Sequence, residues 1–510
     1  MKRSNQTVFI AVLLAVLILP YVVAAMAAGE AYYFVGFLLN PMDGASYLAK
    51  MRQGWEGAWR FVLPFTAQPG EGAYLFTFYL FLGHVARITG LSTVLVFHAA
   101  RVLGALGLLL ALARLVEHIF AGRPGLAKVG FALAAAGSGM GWLLMFTGYL
   151  TSDTWVAEAY PFLSMFSNPH FPIGLAILLW YFSLLLDDEA KAHPALLALA
   201  GLALSVIQPF GVVIGLVIAG LVTLWKWLET RSLGWQPLFW FGLLGGPFLL
   251  YQFWAAQTDP ILAGWNAQNV TITRPVWDVL ISLSPALPLA VIGAVSLWRE
   301  KSHPARRLLI VWLVLGLVLI YAPFSLQRRF MLGLFVPAAL LAVFGVAYVR
   351  QRFNRPLKWL VPALLALSLL TNVLLMLILL GGAVTHAPEL TLTRDEVHAA
   401  EWIAENTAPD ALVLASPQIG QWLPGLTGRR VIYGHPYETV NAMEEQAAVE
   451  SVFRKPVEVT KDDPRLVERG VSYIFYGPRE GELALGIPPN FSALPVVYQS
   501  GSVTIYEVAP

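Results

Sequence analysis

The chain has 510 residues, of which 57% are hydrophobic and only 13% are charged, whereas a soluble globular protein carries roughly 25% charged residues. This composition excludes an ordinary soluble enzyme and predicts a polytopic α-helical membrane protein. A net charge of +2 gives no indication of a nucleic-acid partner. The lack of cysteine excludes disulfides, thiolate metal sites and a cysteine nucleophile.

Apolar stretches long enough to cross a bilayer recur along most of the chain. At about 20 residues a span, they predict about eleven transmembrane helices, at residues 8–28, 92–119, 126–149, 169–186, 194–209, 210–228, 235–255, 276–298, 307–323, 330–349 and 357–382. The first resembles a signal peptide, but its length and the absence of a small-residue cleavage site favour a retained span. The short apolar run at residues 74–85 is either a further span or an interfacial helix.

The basic residues of the short loops favour the interfacial alternative. With residues 74–85 at the outer interface, the basic loops stay cytoplasmic, including the cluster Arg299, Lys301, Arg306 and Arg307. A span there would invert every later loop and place this cluster outside. The sequence therefore predicts an odd number of spans, with the N-terminus inside and the C-terminus outside.

The first external loop, at about residues 29–91, holds the strongest candidate for a catalytic group. Asp43 lies just beyond the first span, and a carboxylate kept at the edge of so apolar a chain is a candidate general base. The alternative is a helix-capping or solvated residue. A residue pattern with a period of four predicts a helix whose aromatic face lies in the headgroup plane: Tyr47, Met51, Trp55 and Trp59.

The second external loop, at residues 151–168, carries the other external acids near the membrane. Asp153 and Glu158 lie in this loop, and His170 follows at the start of the next span. These three residues are candidates for a second functional group. Ordinary loop acids, and a histidine that pairs with headgroups, are the alternatives.

Arginines near the outer face suggest an anion site. Arg328 and Arg329 lie at the outer ends of two adjoining spans, where the positive-inside rule disfavours them. Their planar guanidinium groups suit a phosphate, and a lipid phosphate is the natural ligand there. The alternative is an interfacial anchor. Arg101 and Arg274 are further cations near this face.

The composition changes after about residue 382, where apolar runs shorten and charges become frequent. Thr393-Arg394-Asp395-Glu396 predicts a capping box that opens a helix to about Asn406. Further helices are predicted near residues 440–453 and 464–469, and strands at 411–415, 431–433, 471–476 and in a hairpin at 496–508. The sequence predicts two domains, a transmembrane domain at residues 1–382 and a small extracytoplasmic α/β domain at residues 383–510.

These features together resemble the GT-C superfamily of membrane glycosyltransferases. The matching features are Asp43 in the first external loop, followed by Tyr47 and Ala49, the interfacial helices, the acids of the second external loop, the many spans and the external α/β domain. Three C-terminal segments are similar to domains of uncharacterised bacterial members, namely residues 399–403, 434–439 and 471–477.

The resemblance implies a hexosyl- or pentosyltransferase of a bacterial or archaeal plasma membrane. Its donor would be a polyprenyl-phosphate sugar, and its acceptor a hydroxyl of a glycan, a lipid or a protein on the outer face. Asp43 would be the general base of an inverting displacement. Arg328, Arg329 and Arg101 would bind the phosphate of the donor lipid.

The resemblance also implies roles for the remaining candidates. Asp153, Glu158 or His170 would orient the acceptor or a metal ion, and His435 and Glu438 would overhang the site unless they only pack within their domain. Neither external loop has the paired aspartates of some relatives, which leaves a divalent cation such as Mg or Mn open. The alternative function is a transporter or flippase of lipid-linked glycans, although no internal repeat typical of transporters is evident.

Overall fold

A computed structural model describes residues 3–186, 192–353, 358–484 and 488–508. Its residues form two compact units. The helical unit contains Met1–Pro20, His98–Leu250 and Thr271–Gly381. The mixed unit contains Tyr21–Phe97, Tyr251–Val270 and Gly382–Pro510.

The described residues contain several helices that suit a membrane. Six are long and apolar enough to cross one, namely Asn5–Ala27, Thr93–Ile119, Pro209–Thr230, Gln236–Thr258, Gln327–Arg352 and Leu360–Val384. The pair Val276–Leu283 and Ala286–Arg299, bent by 80°, adds a seventh candidate. Shorter helices cover Pro124–Ala136, His170–Leu184, Pro194–Ile207 and Ala305–Leu319. The prediction of a polytopic helical membrane protein is confirmed.

Each of the eleven predicted spans overlaps one of these helices, but not all are straight and long. Five of the overlapping helices have only 13 to 15 residues, one of them being Ala286–Arg299 of the bent pair. One break has a clear cause at Pro209, which occupies the first turn of its helix. Proline lacks an N–H and suits that position, so it separates two helices that hydropathy alone places end to end.

The first external loop forms two helices of the mixed unit, Pro41–Glu56 and Thr77–Thr89. The second includes much of the apolar run at residues 74–85, and its 13 residues are too few for a span. The two helices approach closely at two glycines. A Cβ atom on Gly54 would lie 2.0 Å from the Leu80 carbonyl oxygen, and one on Gly83 would lie 2.0 Å from that of Met51. Glycine at these positions therefore permits the contact.

The aromatic face predicted for the first of these helices differs in the structure. The helix ends at Glu56, and Gly57 follows with a φ of 108°, so Trp59 lies beyond it. Met51 is fully buried, and the Tyr47 ring stacks on the Tyr79 ring at 4.1 Å. Packing between the two helices has replaced the predicted contact with headgroups along much of this face.

The C-terminal part of the mixed unit is an α/β structure, as predicted. Its strands are β1 (Tyr32–Phe34), β2 (Thr391–Thr393), β3 (Leu412–Leu414), β4 (Arg430–Val431), β5 (Tyr473–Tyr476), β6 (Val496–Ser500) and β7 (Val503–Glu507). The last five form one sheet in the order β4-β3-β5-β7-β6. β3 is parallel to both β4 and β5, whereas β7 is antiparallel to β5 and β6.

Local sequence signals in this region are confirmed. Thr393 Oγ1 accepts a hydrogen bond from the Glu396 N–H, and the Glu396 carboxylate accepts one from the Thr393 N–H, which completes the capping box of Arg394–Asn406. The predicted hairpin turns at Gly501, whose φ is 54°. The other helices of the region are Pro417–Gly420, Leu423–Thr427, Ala442–Arg454, Pro464–Val467 and Pro478–Leu483.

A two-stranded sheet within the mixed unit was not predicted. β1 pairs antiparallel with β2, with Tyr32 opposite Thr393 and Phe34 opposite Thr391. Three-residue strands show too little alternation to be recognised from sequence. This sheet ties the segment after the first helix to the C-terminal region, and both belong to one compact unit.

Candidate active site

Asp43 lies in the first turn of Pro41–Glu56, where a negative charge is favourable to the helix dipole. Asn40 precedes the helix in a left-handed conformation with a φ of 52°. The Asp43 side chain is 48% exposed. No hydrogen bond reaches its carboxylate from the part of the chain that the structure describes. A carboxylate in this state can accept a proton.

A buried ion pair lies further along the same helix. Lys50 is fully buried, and its Nζ donates hydrogen bonds to the Glu438 carboxylate oxygens at 2.7 and 3.0 Å and to Ser46 Oγ at 2.5 Å. The Ser46 hydroxyl in turn donates to Glu438 Oε1 at 2.6 Å. Burial acts to raise the pKa of Glu438, but the Lys50 ammonium and these hydrogen bonds outweigh it and lower that pKa.

Aromatic rings enclose the same ammonium. Nζ of Lys50 lies 4.3 Å from the centre of the Phe76 ring and 5.2 Å from that of Phe61. A buried ion pair of this kind is costly to break, because removing one partner leaves the other charge uncompensated. Lys50 and Ser46 were not among the candidates from sequence, since only their spacing of four residues hinted at a shared helix face.

His435 approaches Asp43 and is a group that can carry chemistry. Its Nδ1 accepts a hydrogen bond from the Tyr437 N–H at 3.1 Å, so the neutral ring carries its proton on Nε2. This Nε2 lies 3.9 Å from Asp43 Oδ1 and has no hydrogen-bond partner within the described residues. Burial lowers the pKa of His435 below 6.5, despite the opposing charges of Glu438 and Asp43. The structure thus brings His435, Glu438 and the Asp43 helix together.

The lowered pKa of His435 predicts a loss of stability in acid. The unfolded chain binds a proton at this residue near pH 6.5, whereas the folded protein binds it only at lower pH. The contribution of neutral His435 to the free energy of unfolding is therefore complete above pH 6.5. It declines as the pH falls below that value, by at most about 1.4 kcal/mol per pH unit. We expect the midpoint of thermal unfolding to change less between about pH 5.5 and 7.5 in His435→Gln than in the wild type. Equal pH effects would contradict this prediction.

The helical unit contains a cluster of arginines around an aromatic ring. The guanidinium carbons of Arg328 and Arg274 lie 4.5 and 5.7 Å from the centre of the Trp155 ring. Arg329 Nη1 lies 3.5 Å from Glu158 Oε1. We call Arg274, Arg328 and Arg329 the arginine cluster. Arg328 and Arg274 thus share the Trp155 ring, whereas Arg329 pairs with Glu158.

Two threonines adjoin this cluster and were not identified from sequence. The Thr271 carbonyl accepts a hydrogen bond from the Arg328 N–H at 3.1 Å, and Thr273 directly precedes Arg274. Both threonine hydroxyls are buried and have no hydrogen-bond partner among the described residues. Buried hydroxyls normally have a partner. These two hydroxyls therefore lack the partner that a buried hydroxyl usually has.

The two acids of the second external loop are buried, unlike the ordinary solvated loop acids of the alternative interpretation. Asp153 is fully buried, and its carboxylate accepts hydrogen bonds from Thr151 Oγ1 at 2.6 Å and from the Gly141 N–H at 2.9 Å. Burial raises the pKa of Asp153, although these bonds oppose it. Glu158 is also buried, and of the two it is the one that contacts the arginine cluster.

Arg101, predicted to bind the donor phosphate, contacts backbone carbonyl groups in the structure. Its side chain is buried, and Nη1 donates to the carbonyl oxygens of Met165 at 3.0 Å and Phe166 at 3.4 Å. These bonds occupy Nη1 and tie Arg101 to the backbone of a neighbouring segment. His170 begins the helix His170–Leu184, where its buried ring packs on Phe171 at 3.9 Å.

The residues at the site do not suit a divalent cation. The described part of the chain has no group of three or more His, Asp or Glu side chains that could hold one. Within the mixed unit, Glu438 is already neutralised by the Lys50 ammonium, and the neutral His435 ring directs an N–H rather than a lone pair towards Asp43.

Comparison with solved structures identifies the fold of this chain. No family model matches the chain, and no curated protein matches its sequence. Solved structures of membrane proteins, including the following three, do match its structure. ArnT from Cupriavidus metallidurans, bound to undecaprenyl phosphate, has a TM-score of 0.51 at 13% identity, with 99% of this chain and 98% of ArnT covered. The chain adopts the GT-C fold.

The two other structures are also GT-C proteins. The arabinofuranosyltransferase AftD from Mycobacteria has a TM-score of 0.54 at 14% identity, and this chain spans 40% of its length. The oligosaccharyltransferase of Archaeoglobus fulgidus has a TM-score of 0.50 at 13% identity, with 91% of this chain and 69% of that one covered. The resemblance inferred from Asp43, the spans and the external domain is thereby confirmed at the level of the GT-C fold.

Proposed function

We propose that this chain is a membrane glycosyltransferase that moves a sugar from a polyprenyl-phosphate donor to an acceptor hydroxyl, with inversion at the anomeric carbon. The observation that carries the proposal is the arginine cluster, with two buried threonine hydroxyls beside it. Residues 1–382 would form the membrane domain and residues 383–510 the extracytoplasmic domain.

The arginine cluster matches the charge that develops during such a transfer. Cleavage of the bond between the anomeric carbon and the phosphate oxygen converts a phosphodiester with one negative charge into a monoester that approaches two. Cations close to the leaving oxygen stabilise that change. Arg328 and Arg274 supply planar guanidinium groups for it, and Thr271 and Thr273 supply neutral hydroxyl donors.

Asp43 completes the reaction on the acceptor side. Its carboxylate takes the proton of the acceptor hydroxyl while the hydroxyl oxygen bonds to the anomeric carbon and the phosphate leaves. Such general base catalysis contributes on the order of 10²–10⁴-fold. The partial exposure of Asp43 supports this role, because an acceptor can approach from solvent. The acceptor hydroxyl belongs to a glycan, a lipid or a protein.

The chain would work in a bacterial or archaeal plasma membrane with its N-terminus inside. Contacts within the helical unit support this orientation, because residues of loops predicted to be cytoplasmic meet each other. Arg307 pairs with Glu229 at 2.7 Å, and Arg123 pairs with Glu300 at 3.4 Å. These pairs join four loops or helix ends on one side, as the positive-inside rule requires.

The test uses the full chain in lipid nanodiscs. Its readout is the release of undecaprenyl phosphate, the lipid bound in the ArnT structure. Undecaprenyl-phosphate-linked pentoses and hexoses are added with a cell-envelope extract as the source of acceptors. We expect release of undecaprenyl phosphate from at least one donor and transfer of its sugar. In sealed vesicles, movement of intact donor across the bilayer without cleavage would instead favour the transporter alternative.

A further inference from the structure

A tight turn of the mixed unit, Gly434–Thr439, contacts the helix that carries Asp43 at two places. Glu438 forms the buried ion pair with Lys50 and accepts the Ser46 hydroxyl. His435 approaches Asp43 itself at 3.9 Å. Ser46 and Lys50 lie three and seven residues after Asp43, so both contacts fall on the first turns of one helix. This turn is therefore attached to the helix directly beside the proposed base.

The turn is held in one conformation by its own hydrogen bonds. Thr439 Oγ1 accepts bonds from the Gly434 N–H at 3.4 Å and the His435 N–H at 3.3 Å. The Gln268 side chain bonds to the Thr439 carbonyl and accepts the Asn441 N–H. His435 consequently has little freedom to move away from the helix.

The ring Nε2–H of His435 has no hydrogen-bond partner among the described residues. Its Nε2 is buried, and an unsatisfied buried donor costs about 1–3 kcal/mol. Three charged groups act on the ring, namely Glu438, Asp43 and Lys50. Glu438 already accepts bonds from Lys50 and Ser46, whereas the Asp43 carboxylate accepts none from the described residues. A movement of about 1 Å would close a hydrogen bond, and catalytic contacts often tighten when substrate binds.

We infer that His435 is a positioning residue, whose Nε2–H holds one oxygen of the Asp43 carboxylate so that the other faces the acceptor. The Lys50, Ser46 and Glu438 contacts fix the approach of the turn. This inference rests on the proposed role of Asp43 as the base. It follows the general arrangement in which a third group orients a catalytic base. The C-terminal domain then takes part in catalysis through this turn.

The first arm of the test measures turnover in two matched variants. His435→Phe keeps a ring that can pack near Phe65, as the imidazole does at 5.9 Å, but removes the N–H. His435→Gln removes the ring but restores an N–H donor. We expect His435→Phe to lower kcat by roughly 10-fold or more with the donor KM unchanged, and His435→Gln to recover part of that loss. Equal kcat values in His435→Phe and the wild type would overturn the inference.

The second arm does not require turnover. The titration of His435 is followed by NMR of the histidine ring carbons in the full chain, with the His435 signal assigned from its loss in His435→Gln. The charge of Asp43 acts to raise the pKa of His435, so Asp43→Asn should lower that pKa further. Glu71→Gln, which removes an exposed acid of the same external loop, should leave it unchanged.

The two arms separate failure of the inference from failure of the proposed function. An unchanged His435 titration in Asp43→Asn would overturn the pairing, whatever the activity of the wild type. If Asp43→Asn shifts the His435 titration but the wild-type protein cleaves no donor, the proposed function is removed and the pairing of His435 with Asp43 remains supported.

Discussion

Asp43→Asn should lower sugar transfer by about 10²–10⁴-fold, the usual contribution of a general base. The amide keeps the size and polarity of the side chain but cannot take the proton of the acceptor hydroxyl. Asp43 accepts no hydrogen bond within the described residues, so the fold should tolerate this change. The measurement is release of undecaprenyl phosphate from the donor, compared with binding of undecaprenyl phosphate, which should remain near the wild-type level.

Glu71→Gln is the matched control for Asp43→Asn. Glu71 is an exposed acid of the same external loop, and its loss should leave turnover near the wild-type rate. Asp43→Asn with turnover close to that of Glu71→Gln would remove Asp43 from the mechanism. It would then favour the interpretation of Asp43 as a residue that only stabilises the start of its helix.

Arg328→Ala should weaken binding of undecaprenyl phosphate by about 10- to 100-fold, because a hydrogen bond to a charged group contributes about 1.5–3 kcal/mol. Arg328 is the member of the arginine cluster that stacks most closely on Trp155. Arg328→Lys keeps the charge but loses the planar group, so we expect an intermediate affinity. Native mass spectrometry or a thermal-shift titration with undecaprenyl phosphate measures both variants.

Arg352→Ala provides the comparison for Arg328→Ala. Arg352 is exposed at the end of Gln327–Arg352, outside the arginine cluster, and its loss should not change the affinity for undecaprenyl phosphate. If Arg328→Ala also binds this lipid as tightly as the wild type, the arginines act as interfacial anchors. The arginine cluster, on which the proposed function rests, would then have another explanation.

The sequence alone determined the features that depend on short stretches of chain. Hydropathy identified the helical membrane architecture, since a span is one continuous apolar run. The capping box at Thr393 and the hairpin turn at Gly501 were also predictable, because a few adjacent residues form each of them. Asp43 and the arginine pair Arg328 and Arg329 stood out because charge is costly or misplaced at the outer end of a span.

Only the tertiary structure decided which of these groups have partners. Lys50 and Glu438 form a buried ion pair although 388 residues separate them. Arg328 meets Trp155 and Thr271 from other parts of the helical unit, and Asp153, which belongs to a loop in sequence, is fully buried. Burial and pairing depend on the chain segments that pack around a residue, and no local pattern records them. Hydropathy and charge could therefore select the candidates, whereas packing decided that Arg101 binds carbonyl groups and that His435 faces Asp43.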